Sequence, residues 1–172
     1  MIDWEGMLKR EGPAVWKTAW KVLGNQADAD ECFQEACLAA VEYSKTHEVR
    51  QWRPLLHQLA TARAIDRLRQ RIRRKSRESP IPQESLASAG ASPLQLAQDS
   101  ELAVRLRAAL NDLPHKQAQV FCLFHMSGWS YVEIAENLNV STDLVGVWLL
   151  RAREHLRKTL SGKKDAMSEV AS

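Results

Sequence analysis

Apolar residues in this chain return at intervals of three and four almost from end to end, and no stretch of useful length alternates apolar with polar. A period near 3.6 lines up one face of a helix but scatters across both faces of a strand, so the pattern confines the fold to packed helices. Trp16, Ala19, Trp20 and Leu23 form one such stripe, closed by Gly24. Asn25, with Asp28 three residues on, reads as the start of a second helix carrying Ala29, Cys32, Phe33, Ala36, Cys37, Ala40 and Val41. Pro54 suits the first turn of a third, whose stripe runs Leu55, Leu59, Ala62, Ile65, Leu68, Ile72.

Charge divides the chain more sharply than its net value of +3 implies. Residues 1–49 carry nine acids and five bases, 50–77 ten bases and one acid, 78–150 eight acids and three bases, and 151–172 six bases and three acids. The third helix holds the densest run. Arg63, Arg67, Arg69, Arg71, Arg73, Arg74, Lys75 and Arg77 place eight bases in fifteen residues against a lone Asp66, which exceeds what solubility asks for and points to a polyanion. Acids gather instead at the start of the second helix, at Asp28, Asp30, Glu31 and Glu35, where they also suit the helix dipole.

Residues 76–100, rich in Ser, Ala, Pro and Gln, have a linker's composition. They divide the chain into a first helical domain over 1–75 and a second over 101–162, with a polar tail at 163–172; the expected fold is all-α, two small helical domains on a flexible linker. In the second domain Leu102, Leu106 and Leu110 mark one helix, broken near "NDLP". Pro114 opens the next, through Val120, Phe121 and Phe124, and Gly128 closes it. "SYVE" is a capping box of Ser130 and Glu133, and Ser141 restarts the chain after a turn at Asn139-Val140. Two short helices joined this way make a helix-turn-helix: Ile134, Leu138, Val140, Val145 and either Trp148 or Leu149 are its buried positions, Ala135 is small where the helices cross, and Asn139 tolerates the left-handed turn.

Taken together, "VLGNQADADECFQEACLAAVEY" and "WRPLLHQLATARAIDRLRQRIRR" in the first half, and "LNDLPHKQAQVFCLFHMSGWSYVEIAENLNVSTDLVGVWLLRAREHLRKTL" in the second, resemble extracytoplasmic-function (ECF) sigma factors of the sigma-70 family. The resemblance covers Gly12 to about Leu160. It implies a first domain that binds the clamp of the largest subunit of core RNA polymerase and recognises the minus-ten promoter element. It implies a second that binds the flap of the other large subunit and the minus-thirty-five element. Asp28, Glu31, Gln34 and Glu35 match the clamp-binding segment. Trp52, Arg63, Arg67, Arg71 and Arg74 are the candidates for minus-ten DNA, with Trp52 either a stacking platform for an exposed base or a Trp packed on the second helix. Ala62 stands where the family usually has Asn, which counts against recognition through that position. The loop "SKTHEVR", 44–50, lies where the family commonly holds a flipped base. Such factors usually answer to an anti-sigma factor, so promoter DNA, core polymerase and an anti-sigma protein are the expected partners.

The reading helix departs further from the family. Ser141, Thr142, Asp143, Gly146, Val147, Trp148, Arg151 and Arg153 are its candidate DNA-facing positions, yet the bidentate Arg or Asn that reads purines is missing. Asp143 suits a cytosine amine and Thr142 a thymine methyl, while the later arginines suit phosphates or polymerase. Contact through phosphates and shape is therefore expected to dominate. A rival reading keeps the sigma shape as an interaction protein without promoter specificity. An enzyme fits worse, since no CxxC, HExxH, phosphate loop or nucleophile elbow occurs, and no metal or cofactor is expected. Cys32, Cys37 and Cys122 are expected to be reduced. No run nears the roughly 18 apolar residues of a membrane span, and "MIDWEGMLKREG" lacks a signal peptide's apolar core, so a cytoplasmic location is expected.

Overall fold

The computed structural model describes residues 1–77 and 101–170, with the side chains of Ser76 and of 163–170 outside the description. The linker expected over 76–100 lies outside the described residues except for its first two, which end a helix. Among the described residues the secondary structure is seven helices: α1 Trp4–Leu23, α2 Gln26–Thr46, α3 Trp52–Arg77, α4 Glu101–Asn111, α5 His115–His125, α6 Tyr131–Leu138 and α7 Thr142–Val170.

Local chemistry fixes most of the ends. Asp3 and Asn25 cap α1 and α2, each side chain accepting an N–H in the first turn, from Gly6 and Asp28. Gly24 takes the left-handed conformation after α1 (φ 65°), and its N–H closes on the Trp20 carbonyl. Ser130 accepts from the Glu133 N–H while Glu133 sits within 3.3 Å of the Ser130 hydroxyl, and Asn139 makes the left-handed turn at φ 55°. Two boundaries differ from expectation. Helix α2 runs on through Thr46, so the connection to α3 is residues 47–51; Ser44 and Thr46 donate to the carbonyls of Val41 and Tyr43 and so stay within the helical turn. Helix α7 continues to Val170 rather than giving way to a tail at 163.

The two halves do not stand apart. One apolar cluster takes Ala19, Val22 and Leu23 from α1, Ala29 and Cys32 from α2, and Ala64, Ile65 and Leu68 from α3; it continues without a break into Ala109 and Leu110 of α4, Leu113, Ala118 and Cys122 of and before α5, and Ala152 and Leu156 of α7. Its six alanines let helix backbones approach closely, and α3 packs on α1 and α2 with one side and on α4 and α5 with the other. A second cluster, Val120, Leu123, Trp129, Ile134, Ala135, Val145 and Leu149, packs the helix-turn-helix on α5, and a third, with Met7, Val15, Ala36, Ala40, Leu56 and Ala60, belongs to the far end of the first half.

Polar contacts cross the boundary too. The Thr18 and Ser127 hydroxyls lie 3.0 Å apart, Lys21 Nζ donates to the Met126 carbonyl at 3.3 Å, and Asn137 Nδ2 donates to the Pro54 carbonyl at 3.1 Å. Arg69 donates to the Leu113 carbonyl, and His115 lies 3.5 Å from Asp66. The Arg107 guanidinium rests over Gly24, where any Cβ would collide with it. The seam is imperfect, however. His57 is 2% exposed and its ring meets Trp129 of the other half at 5.5 Å, yet both ring nitrogens, Trp129 Nε1 and Asn137 Oδ1 find no hydrogen-bond partner among the described residues. Each such buried orphan costs about 1–3 kcal/mol, which offsets part of what the apolar contact contributes.

Two outcomes follow for stability. Leu110, 1% exposed within the shared cluster, is expected on replacement by Ala to cost about 2–5 kcal/mol in urea unfolding, in one transition that moves the tryptophans of both halves together. Burial, with Arg53 adding to it, lowers the His57 pKa from 6.5 to about 4. The native state therefore favours the neutral ring: its contribution is complete above 6.5 and is lost as pH falls toward about 4. Stability of the native chain should drop by about 3 kcal/mol more over that interval than that of His57→Phe; parallel pH profiles would refute the assignment.

Candidate nucleic-acid interface

Helix α3 carries the basic run, and its period distributes the bases over different surroundings. Arg67 and Arg71, four apart, both turn toward α2. Arg67 spans two carboxylates, with Nη1 on Glu31 at 2.5 Å and Nη2 on Glu35 at 2.7 Å, and lies 3.8 Å from Asp28. Arg71 reaches Asp28 at 3.3 Å and donates to the Leu23 carbonyl at 3.0 Å. Although burial alone would lower the Arg67 pKa, its hydrogen bond to Glu31 and the charges of Glu35, Glu31 and Asp28 outweigh it and raise the value. These two arginines thus bind α2 to α3 and neutralise much of the acid cluster. Arg63 is half-buried, Arg69 is spent on the second half, and Arg74, Lys75 and Arg77 are exposed at the end of the helix. The basic surface open to a polyanion is this last turn and a half, a smaller area than the sequence run implies.

Trp52 opens α3 half-buried, its ring edge-on to Trp4 of α1 at 4.8 Å, and packs against the cluster that includes Ala36 and Ala40 of α2. On α2, Glu31, Gln34 and Glu35 are exposed and Asp28 is half-buried. Leu38 shares their face at helical spacing from Gln34 and is 67% exposed. Periodicity could have found it, because Leu38 falls outside the stripe that Ala29, Ala36 and Ala40 bury.

In the helix-turn-helix, Ser141 accepts from the Leu144 N–H and starts α7. Thr142, Asp143, Val147, Leu150 and Arg151 are exposed along one side of that helix, with Val147 at 41% and Leu150 at 57%. Leu149, fully buried, is the core residue, and Trp148 packs half-buried against the same cluster. A Cβ at Gly146 would meet the Tyr131 ring at 3.6 Å, ordinary contact, so space does not require glycine there. Arg153 turns away from the reading side: its Nε donates to His125 Nε2 at 3.3 Å and its guanidinium lies 5.3 Å from the Phe124 ring centre. Burial and the charge of Arg153 both lower the His125 pKa, consistent with a neutral ring that accepts. The thiols play no part in this surface. Burial pushes Cys32 up to about 11 and Cys122 up to about 12, which makes both poor nucleophiles.

Between the halves opens a cleft of about 720 Å³. Arg10, Arg50 and Arg53 line it from the first half beside Glu11, and Glu133 and Glu136 from the second.

Comparison with known proteins places these elements. The model of Sigma-70 region 2 matches residues 7–74, and that of Sigma-70 region 4 matches residues 103–156. The ECF RNA polymerase sigma factor SigE of Mycolicibacterium smegmatis is 27% identical over 171 residues, 99% of this chain; the chain spans 66% of that relative's length. Among solved structures, the sigma factor RpoE in complex with the anti-sigma factor NepR from Bartonella quintana superposes with a TM-score of 0.55 at 21% identity, covering 92% of this chain and 97% of that one. CnrH in complex with the cytosolic domain of CnrY gives 0.58 at 20% identity, covering 92% and 87%. These two likenesses concern the fold. With region 2 on α1–α3 and region 4 on α4–α7, in the order and over the span that the helices occupy, the chain belongs to the sigma-70 family.

Proposed function

We propose that this protein is a transcription initiation factor: it binds core RNA polymerase, brings it to promoters, opens the minus-ten region with its first half and holds the minus-thirty-five element with its second. The observation that carries the reading is the helix-turn-helix. Two side-chain-capped helices meet at a left-handed Asn139, and the second presents Thr142, Asp143, Val147, Leu150 and Arg151 to solvent from a fully packed base. That is the arrangement by which a helix enters a major groove.

The exposed side chains favour a particular style of contact. Thr142, Val147 and Leu150 offer apolar surface to thymine methyl groups, Asp143 suits the amine of cytosine, and Arg151 a phosphate. In the first half the exposed Arg74, Lys75 and Arg77 track the backbone of the opening strand. Gln34, Glu31, Glu35 and Leu38 form a mixed acidic and apolar face for the polymerase clamp, with both carboxylates held in place by Arg67. Among the described residues no helix is long and apolar enough to cross a membrane, and the chain acts where promoter DNA and polymerase are, in the cytoplasm. The relative RpoE is held by an anti-sigma factor in its solved complex, and we extend a regulator of that kind to this chain.

Run-off transcription with core polymerase and genomic fragments tests the reading. New start sites that depend on the protein are expected. Binding to core without any start site across the fragments would leave a sigma-shaped interaction protein instead. A second outcome concerns the basic surface: Arg74→Glu combined with Lys75→Glu should flatten the salt dependence of promoter binding by about two in the log–log slope, with helicity unchanged by circular dichroism. An unchanged slope would remove these residues from the DNA contact.

A further inference from the structure

We propose that Val147 and Leu150 are the specificity-determining residues of the helix-turn-helix and that they read the 5-methyl groups of thymine, so that the upstream promoter element is chosen by methyl contact rather than by hydrogen bonds to purines. The inference rests on the promoter-directing function above and names the chemistry of recognition at that site.

Position on the helix carries it. Val145, Leu149, Ala152 and Leu156 bury one side of α7, and at about 100° per residue the opposite side holds Asp143, Val147, Leu150 and Glu154. All four are exposed. Val147 and Leu150, three residues apart, are neighbours there and make one apolar patch. From 141 to 150 the outward side chains are short, namely Ser, Thr, Asp, Val and Leu, and Gly146 beside them has none; the first long base is Arg151. Short side chains reach a base edge only when the helix backbone sits close to the groove floor, and Gly146 permits that approach. Packing does not require glycine there, since a Cβ would meet the Tyr131 ring at an ordinary 3.6 Å, and glycine weakens a helix interior relative to alanine.

The chemistry of the patch selects its counterpart. Valine and leucine neither donate nor accept a hydrogen bond, so the base feature they can hold in the major groove is the thymine methyl. Asp143 stands one turn before the pair and Glu154 one turn beyond it. A carboxylate only accepts, which suits the cytosine amine and repels phosphate, so the two acids bracket the stretch that lies over bases. Asp143 and Leu150 are about 10.5 Å apart along the helix, or about three base-pair steps of about 3.4 Å. The element read is therefore short, with a cytosine at the Asp143 end and thymines under Val147 and Leu150. Phosphate contact falls to Arg151, Arg157 and Lys158, exposed on the flanks of the same face.

Deoxyuridine tests the readout, because it differs from thymidine in the methyl alone. Random-sequence duplexes selected on the full chain, with and without core polymerase, supply the preferred element, which is then remade with deoxyuridine at each thymine in turn. The native chain is expected to bind about fourfold more weakly for each contacted methyl removed. Val147→Ala and Leu150→Ala, on an exposed face where alanine favours the helix, should each lose that discrimination at one position while binding the deoxyuridine duplex as well as the native chain does. Equal binding of thymidine and deoxyuridine duplexes by the native chain would overturn the proposal. So would alanine variants that weaken both duplexes alike, which would make the pair a protein contact or a packing feature, and so would absence of binding to any duplex in either condition. If the selected element yields no start site in run-off transcription, the initiation-factor reading fails, while the deoxyuridine comparison still decides the methyl readout.

Discussion

One apolar stripe, Ala64–Ile65–Leu68 on α3, serves two partners, and the rest of the molecule is arranged by that fact. On one side it completes the packing of α1 and α2; on the other it receives Leu110, Leu113, Ala118 and Cys122 from the second half. A first half of about 75 residues is near the size at which a single core is marginal, so covering this stripe adds apolar burial that the half cannot generate by itself. The same contact draws in α7 through Ala152 and Leu156, beyond the reading segment of that helix, and thereby sets where the helix-turn-helix sits.

Electrostatics follows the same helix. The eight bases of its C-terminal part do not form one surface, because a 3.6-residue period turns Arg67 and Arg71 toward the α2 carboxylates, Arg69 toward the second half, and Arg74, Lys75 and Arg77 to solvent. Partly buried ion pairs of this kind add little net stability. Their effect is positional: they hold Glu31 and Glu35 at a fixed place on α2, beside Gln34 and the exposed Leu38. The acid cluster and the basic run, opposite in sign and far apart in sequence, are two sides of one clasp.

How much of this was legible beforehand depends on the range of the interaction. Helix ends set by local hydrogen bonds could be read directly, as at Gly24, Asn25, Ser130, Asn139 and Ser141, since cap and turn chemistry involves residues three or four apart. The stripe on α2 and the helix-turn-helix core were legible for the same reason, with Leu149 rather than Trp148 taking the fully buried place, whereas on α3 Ile65 and Leu68 of the expected stripe are buried and Leu56, Ala60 and Ala64 take the other buried apolar places. What stayed hidden was pairing between distant segments. Periodicity shows that a face is apolar but not what covers it, so the docking of the second half on α3, the Trp4–Trp52 contact and the Arg67 clasp had no local signal. The sparse reading helix was legible as sparse, and its exposed Val147 and Leu150 keep that character in the fold.

The account stands or falls on the shared core, and small-angle X-ray scattering of the free chain at low concentration tests it most directly. A closed molecule predicts a single compact particle with a radius of gyration of about 16 Å and a one-peaked distance distribution. A two-lobed distribution with a markedly larger radius, unchanged across protein concentrations, would show that the halves stand apart in solution and would contradict the shared core on which the packing and the seam rest.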